Sequence, residues 1–436
     1  MENQHSFMSK SIQNRPRNCA LLLLATLSAS FALPCAGALA HGFGERYDLP
    51  LPLPLFIKTA GQVVALSFLL VAVFVKRVPK EMRYPKVPLK NHIIGRIVTS
   101  GPVRLTCQVF SIVVFLMVIA SGYFGVQDSI QNLSVVTVWI IAWVGLAYVS
   151  ALVGNVWVLI NPWSILFCLF KKLSPNHRIY PYPKSFGTWP AVTLFLLFAW
   201  MEIAWGGSSL PRNIAVAITI YSAITWAGMF FFGRKTWLQY GEAFSVVFSL
   251  FSRFSIIENT NSKQSASPAT TVFLRPPIVG LQIDKPQSFS MVAFVLLLLS
   301  TVTYDGFAET ALWQIAAQAF SEYFTPIASL VSGIGMILFA VIFIATYMIF
   351  IAAMALIVGQ KDKILKLAGL FVFSVVPIAI AYHLSHYLSL LLTDGQLIIS
   401  RISDPFGFGW NLFGTAHYQI ELGLIGAATI WYSSII

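Results

Sequence analysis

Windows of about 20 consecutive residues that carry almost no charge recur along this chain, and they constrain its fold more than any other feature. In hydrocarbon no water is available to backbone N–H and C=O groups, so only an α-helix or a closed β-barrel can span a bilayer. The apolar runs are continuous rather than alternating, which selects helices. The expected fold is all-α, a polytopic transmembrane bundle of about nine helices behind a cleaved signal peptide. The spans fall at about 55 to 75, 105 to 121, 134 to 158, 187 to 205, 213 to 232, 288 to 303, 327 to 357, 368 to 392 and 416 to 434. Composition agrees: 57% of residues are hydrophobic, 10% are charged and the mean hydropathy is +0.76. A soluble domain carries about 25% charged residues.

Residues 1–40 read as a secretory leader. A basic start (Lys10, Arg15, Arg17) precedes an apolar run from Cys19 to Leu33 and an A-x-A site at Ala38-Leu39-Ala40. Cleavage there makes His41 the mature N-terminus, on the outer side. The competing reading is an uncleaved first helix, but the run is short for a span of roughly 20 residues. Pro34 argues against Cys35 as a lipidated residue. With four cysteines, two of them in the leader, no disulfide framework is visible.

A net charge of +12 could suggest nucleic acid, but its distribution explains it otherwise. With His41 outside, twenty-one Lys and Arg fall in inner connections and four (Arg46, Lys58, Arg212, Arg401) on the outer side. That is the positive-inside pattern of an inner-membrane protein, with the C-terminus cytoplasmic, and no nucleic-acid partner is expected. Ten of the fifteen acids of the mature chain lie outside or near outer helix ends. The inner segment from about 258 to 287 is rich in Ser, Thr and Pro and reads as a mobile linker within one domain, residues 41–436. Before it, Thr236 to Ile257 is aromatic and mildly amphipathic, either an interfacial helix or a re-entrant piece.

The same topology sorts the histidines. His41, His383, His386 and His417 come to the outer side, whereas His92 and His177 fall in basic inner loops. His383 and His386 are three apart on span eight, after Pro377, whose missing N–H can kink the helix and open polar space. Imidazoles at that depth are costly unless they meet a metal, a cofactor or hydrogen-bond partners. Two ligands alone do not make a metal site. Further candidates on the right side are His417, Asp305 and Glu309 in YDGFAET, Asp394 in LLTDGQ, Asp404 in SDPFGFGW, and Glu202. An N-terminal His41 could chelate through its amino group and ring. Asp305 and Asp404 also have a plain alternative, because Asp before Gly or Pro is turn chemistry. Asn155 and Asn161-Pro162-Trp163 suit packing and helix termination. No G-x-S-x-G, P-loop, H-E-x-x-H or C-x-x-C pattern occurs.

At HGFGERYDLPLPL, TYDGFAET, PIAIAYHLSHYLSLLL and DPFGFGWNLFGTAHY the chain resembles bacterial multi-pass membrane proteins that carry the name fenitrothion hydrolase, over most of its mature length. The resemblance implies hydrolysis of a small lipophilic organophosphorus triester with release of a nitrophenol. His383 and His386 match the pattern directly, whereas some members carry Asp at the position of His417.

These residues give three functional expectations. The first is a metal-dependent triester hydrolase with His383, His386, His41, His417 and Asp394 as metal ligands and Asp305 and Asp404 as catalytic groups. The divalent ion could be zinc, manganese, cobalt or copper. The second is a metal or solute transporter, and the third a haem-binding redox protein using the same histidines. Membrane lipids surround all three, and a second membrane subunit or a homo-oligomer could complete the site.

Overall fold

The computed structural model describes Gln62, Leu66 and residues 84–89, 93–173, 179–261, 270–282, 285–324 and 328–420. The expected leader, His41, the first expected span apart from Gln62 and Leu66, and the ninth span beyond residue 420 lie outside the described residues. After a short helix at Ile93–Val98, the helices in chain order are α1 (Gly101–Phe124), α2 (Leu133–Leu152), α3 (Pro162–Leu173), α4 (Trp189–Ile203), α5 (Pro211–Phe232), α6 (Arg234–Tyr240) and α7 (Ala243–Phe251). They continue with α8 (Phe289–Ala308), α9 (Ala311–Phe324), α10 (Ala328–Ile357), α11 (Ile364–Phe371), α12 (Val376–Leu392) and α13 (Leu397–Ser403).

The protein is an all-α polytopic bundle. Among the described residues six helices are long and apolar enough to cross a membrane: α1, α2, α5, α8, α10 and the segment Lys361–Leu392 that α11 and α12 share. The expected span at 187 to 205 is the exception. Its helix α4 has 15 residues, a length of about 22 Å, short of a hydrocarbon core of about 30 Å. The expected span at 134 to 158 ends at Leu152, and Trp157–Ile160 forms a separate turn of helix.

Helix α8 is the centre of the bundle, buried along most of its length against α4, α10 and α12. Helices α1 and α10 are peripheral. Their outward side chains are large and apolar, such as Phe110 at 67% and Phe350 at 71% exposure, as lipid contact requires. Where backbones must approach closely, glycine allows it. A Cβ on Gly228 of α5 would lie 2.2 Å from the Trp237 ring of α6.

Within the segment 236–257, α7 is packed inside the bundle. Val246, Val247, Phe248, Leu250 and Phe251 are all buried in the largest apolar cluster. A helix start in such a place needs its N–H groups satisfied. Glu242, fully buried, accepts from the N–H of Phe244 at 2.9 Å and of Ser245 at 2.8 Å, and from Tyr221 Oη at 2.5 Å. At the other end Arg275 donates to the carbonyls of Ser252 at 2.8 Å and Arg253 at 3.0 Å, and Ser255 Oγ also donates to Ser252 O at 2.7 Å.

The linker expected at 258 to 287 is not free at its ends. Strands β1 (Val87–Pro88), β2 (Ile257–Asn261) and β3 (Thr270–Leu274) form an antiparallel sheet in the order β1-β3-β2, with Val87 opposite Leu274 and Glu258 opposite Phe273. Glu258 joins its edges, pairing Lys86 at 2.8 Å and Arg275 at 3.4 Å. The sheet lies at the end of the bundle where Arg234, Lys235, Lys361, Lys363 and Lys366 also fall. Asp305 and His386 belong to the opposite end.

Candidate functional site

The break in span eight occurs where Pro377 predicts it. Helix α11 ends at Phe371, a single 3-10 turn (Val372–Ser374) follows, and α12 starts with Pro377 in its first turn, where the missing N–H costs nothing. The restarted helix presents His383 and His386 one turn apart. A three-residue step falls short of a full helical turn, so the two imidazoles point to different neighbours.

His386 faces α8. Its Nε2 lies 2.6 Å from Asp305 Oδ2, with side-chain exposures of 9% and 1%. Asp305 sits in the last turn of α8, at the carbonyl end of the helix dipole, where a carboxylate is disfavoured and an N–H donor offsets the cost. Tyr387 also approaches that carboxylate, donating its Oη–H to Oδ2 at 3.4 Å. This His–Asp–Tyr group ties α8 to α12.

His383 faces α2 and α7. Its ring meets Trp143 at 4.8 Å, Tyr387 at 4.9 Å and Phe251 at 5.7 Å between centroids, all edge to face. It is 2% exposed, and Nε2 has no hydrogen-bond partner. Buried polar atoms are normally paired, so an orphaned imidazole nitrogen points to a missing partner. Trp143 belongs to a further irregularity. Residues Val136–Gly145 of α2 are wound as a π-helix, with Leu146 N–H bonded to Ile141 O, and such widened turns concentrate at functional sites.

The other sequence candidates are placed elsewhere. Asp404 ends α13, where Oδ1 accepts from Phe408 N at 3.0 Å and Oδ2 from Gly409 N at 2.7 Å, the turn chemistry that was its alternative. Gly407 and Gly409 supply the positive φ angles of 72° and 84° that the turn needs. Asp394 opens a 3-10 turn just beyond α12, where burial pushes its carboxyl above the usual range against a hydrogen bond from Thr393. His417 is exposed. Glu309 caps the end of α8 and Glu202 lies in the last turn of α4. Asn161 does terminate and restart helix, its Oδ1 accepting from Ser164 N at 2.9 Å. His41 lies outside the described residues.

Among the described residues no three His, Cys, Asp or Glu side chains come together in a group that could hold a metal ion. What the fold assembles is a buried Asp305–His386–Tyr387 group with His383 beside it in an aromatic enclosure. The sequence reading named the histidines and Asp305 but missed Tyr387, Trp143 and Phe251, although the H-x-x-H-Y run placed Tyr387 next to His386. Family models, curated proteins and solved structures yield no match to the chain.

Proposed function

We propose that the chain is a membrane-bound hydrolase of lipophilic organophosphorus triesters, fenitrothion-like in releasing a nitrophenol, with Asp305–His386 at its reactive centre. The observation that carries this reading is the buried 2.6 Å contact between Asp305 Oδ2 and His386 Nε2. A carboxylate on one imidazole nitrogen fixes the tautomer and makes Nδ1 the nitrogen that accepts a proton. In this role His386 takes a proton from water, the oxygen attacks phosphorus, and the P–O bond to the aryl group breaks. Nitrophenolate is a good leaving group and needs no acid. Asp305 stays ionised and stabilises the imidazolium, while Tyr387 holds the carboxylate in place.

A divalent ion (zinc, manganese, cobalt or copper) fits this donor set in part. His383 Nε2 is a buried nitrogen without a partner, and Asp305 and His386 are adjacent, but the described residues bring no three donors together. In the proposal His383 Nε2 is the described nitrogen open to such a centre, and donors outside the described residues, His41 first among them, would complete it. When bound, the ion supplies Lewis acidity toward the phosphoryl group.

The excess of basic residues at the sheet-bearing end supports an inner-membrane orientation with that end cytoplasmic and the Asp305–His386 end outward. A lipophilic triester reaches such a site from the bilayer.

The test is nitrophenol release by purified protein in vesicles, with metal analysis of the same sample. The reading expects His386→Ala and Asp305→Ala to abolish release and Asp404→Ala to retain it, since the Asp404 carboxylate is committed to two backbone N–H groups. Full activity in His386→Ala removes the reading. A second reading, in which the histidines hold haem or a transported metal, is favoured by the orphaned His383 Nε2. A Soret band or protein-dependent metal uptake into vesicles would transfer the assignment to it.

A further inference from the structure

From Pro405 to Ile420 the chain carries no Lys, Arg, Asp or Glu, although it forms turns and not a helix. This loop follows α13 at the end of the bundle that holds Asp305 and His386, and it lies against the connection between α1 and α2. Val126 N–H donates to the carbonyl of Phe406 at 2.8 Å, and Leu133 N–H to that of Pro405 at 3.2 Å. Phe408, Trp410, Leu412 and Phe413 are all exposed on it. Phe413, at 67%, is as open as Phe110 on the lipid-facing side of α1. Large apolar side chains gathered at one exposed place mark an interaction site.

The loop is held in shape from within. Besides the two bonds to Asp404, Leu412 N–H donates to the Ser403 carbonyl at 3.1 Å, Phe413 N–H to Ser403 Oγ at 2.9 Å and Ala416 N–H to Asn411 Oδ1 at 3.1 Å. Phe406 and Phe408 stack at 5.5 Å, and Trp410 meets both, at 5.4 and 5.9 Å. A surface already in its binding shape loses little freedom on contact. Backbone N–H groups bonded within the chain also lower the cost of bringing irregular structure toward lipid.

We propose that residues 405–414 form an interfacial anchor whose exposed rings are seated in the headgroup boundary of the leaflet at the Asp305–His386 end. Continuity selects lipid as the occupant. Helix α1, whose outward side chains contact lipid, ends at Phe124, 76% exposed, and two residues later the chain is bonded to the loop. Tryptophan favours the same depth, having an apolar ring body and a polar N–H. With no charge to give up or to offer, the loop leaves water cheaply and has nothing to hold an anionic headgroup, so its partner is a neutral lipid surface. Non-helical backbone is barred from the hydrocarbon core, which fixes the depth at the boundary, about 5–10 Å in. The inference is independent of the reaction assigned to Asp305–His386. It concerns the plane in which that end of the bundle is held.

Spin labels at Phe408→Cys and Phe413→Cys test it, in the full chain with its own cysteines replaced by serine and reconstituted in phosphatidylcholine vesicles. The readout is the ratio of collisions with oxygen, which concentrates in lipid, to collisions with a water-soluble nickel chelate. Val341→Cys on α10 and Lys361→Cys, both exposed, give the lipid and water limits. The proposal expects a ratio at both loop positions several-fold above that of Lys361→Cys and below that of Val341→Cys. A ratio equal to that of Lys361→Cys means that the loop stands in water, and shielding from both reagents means that protein covers it; either overturns the proposal. Added phosphatidylglycerol should leave the ratio unchanged, and a rise overturns the assignment to neutral lipid. Where a label perturbs the loop, Trp410 decides with the native rings in place. The emission lost in Trp410→Phe should be quenched more by phosphatidylcholine brominated near the glycerol end of its chains than by lipid brominated near the methyl end. Equal quenching by the two lipids, or none by either, overturns the proposal. Neither readout requires triester hydrolysis, so failure of that reading leaves this one standing.

Discussion

Removing both partners of the Asp305–His386 contact should destabilise the bundle by less than the two single removals do in sum. Each partner is at least nine-tenths buried, and the 2.6 Å separation is at the short limit of a charge-assisted N–H···O bond. Asp305→Ala leaves a buried imidazole without its acceptor, and His386→Ala leaves a buried carboxylate at the carbonyl end of α8 without its donor. A buried pair broken on one side costs about 3 kcal/mol, whereas an average interhelical hydrogen bond in a membrane contributes only about 0.6 kcal/mol. The geometry argues for the larger class, so we expect each single variant to lose about 3 kcal/mol and the pair to show a coupling energy of about 2 kcal/mol in a double-mutant cycle. The assay is reversible unfolding in mixed micelles titrated with dodecyl sulfate, followed by tryptophan fluorescence. Tyr387→Phe serves as an internal scale: its 3.4 Å contact with the same carboxylate is long, and its loss should cost about 0.5 kcal/mol. A coupling energy under about 0.6 kcal/mol would mean that the contact is an ordinary neutral hydrogen bond and would refute the reasoning.

Other outcomes follow from single contacts. Gly228→Val should destabilise by about 2 kcal/mol or more in the same unfolding assay, because the new carbons meet Trp237 where a Cβ alone already comes to 2.2 Å. Asp404→Ala frees the N–H groups of Phe408 and Gly409, and hydrogen exchange at those two amides should accelerate while exchange in α8 does not change. Asp394 lies beyond the membrane-spanning segment, and its folded-state pKa is raised by burial. The folded chain therefore binds the proton more tightly than the unfolded one, and stability falls as pH rises from the ordinary value near 3.8 through the raised one. Asp394→Asn should remove that fall and be the more stable protein at neutral pH, with the advantage vanishing in acid. A constant difference at all pH values would discount the burial.

The spans were legible because lipid leaves a chain few choices: a long uncharged run must close its own backbone hydrogen bonds, and hydropathy alone reports it. Polar residues that caps and breaks require were legible too, as Pro377, Asn161 and the Asp404 turn demonstrate. The interior of the bundle was not. AFSVVFSLF, aromatic and mildly amphipathic, reads the same at an interface as in a core, and its burial rests on contacts such as Glu242, whose buried carboxylate holds the start of α7 through Phe244 and Ser245. TTVFL reads as loop because its β partners, near Val87 and Ile257, are distant in sequence or separated by polar chain. His383 and His386 looked like one pair for the same reason: sequence spacing gives their angle around α12 but not which helix stands at each side.

That angle explains the arrangement of the site. A helix interface buries two adjacent sides of α12, one against α8 and one against α2 and α7. An imidazole on each side must be satisfied by what its neighbour offers. Helix α8 offers Asp305, and His386 is paired. Helices α2 and α7 offer only aromatic edges, so His383 keeps an unpaired nitrogen. The π-wound stretch of α2 sharpens the contrast. Trp139 and Trp143, four apart on it, share a face and both reach Phe198, at 5.4 and 5.1 Å. Trp143, carried on this π-wound stretch, stands edge to face with the orphaned imidazole of His383 at 4.8 Å.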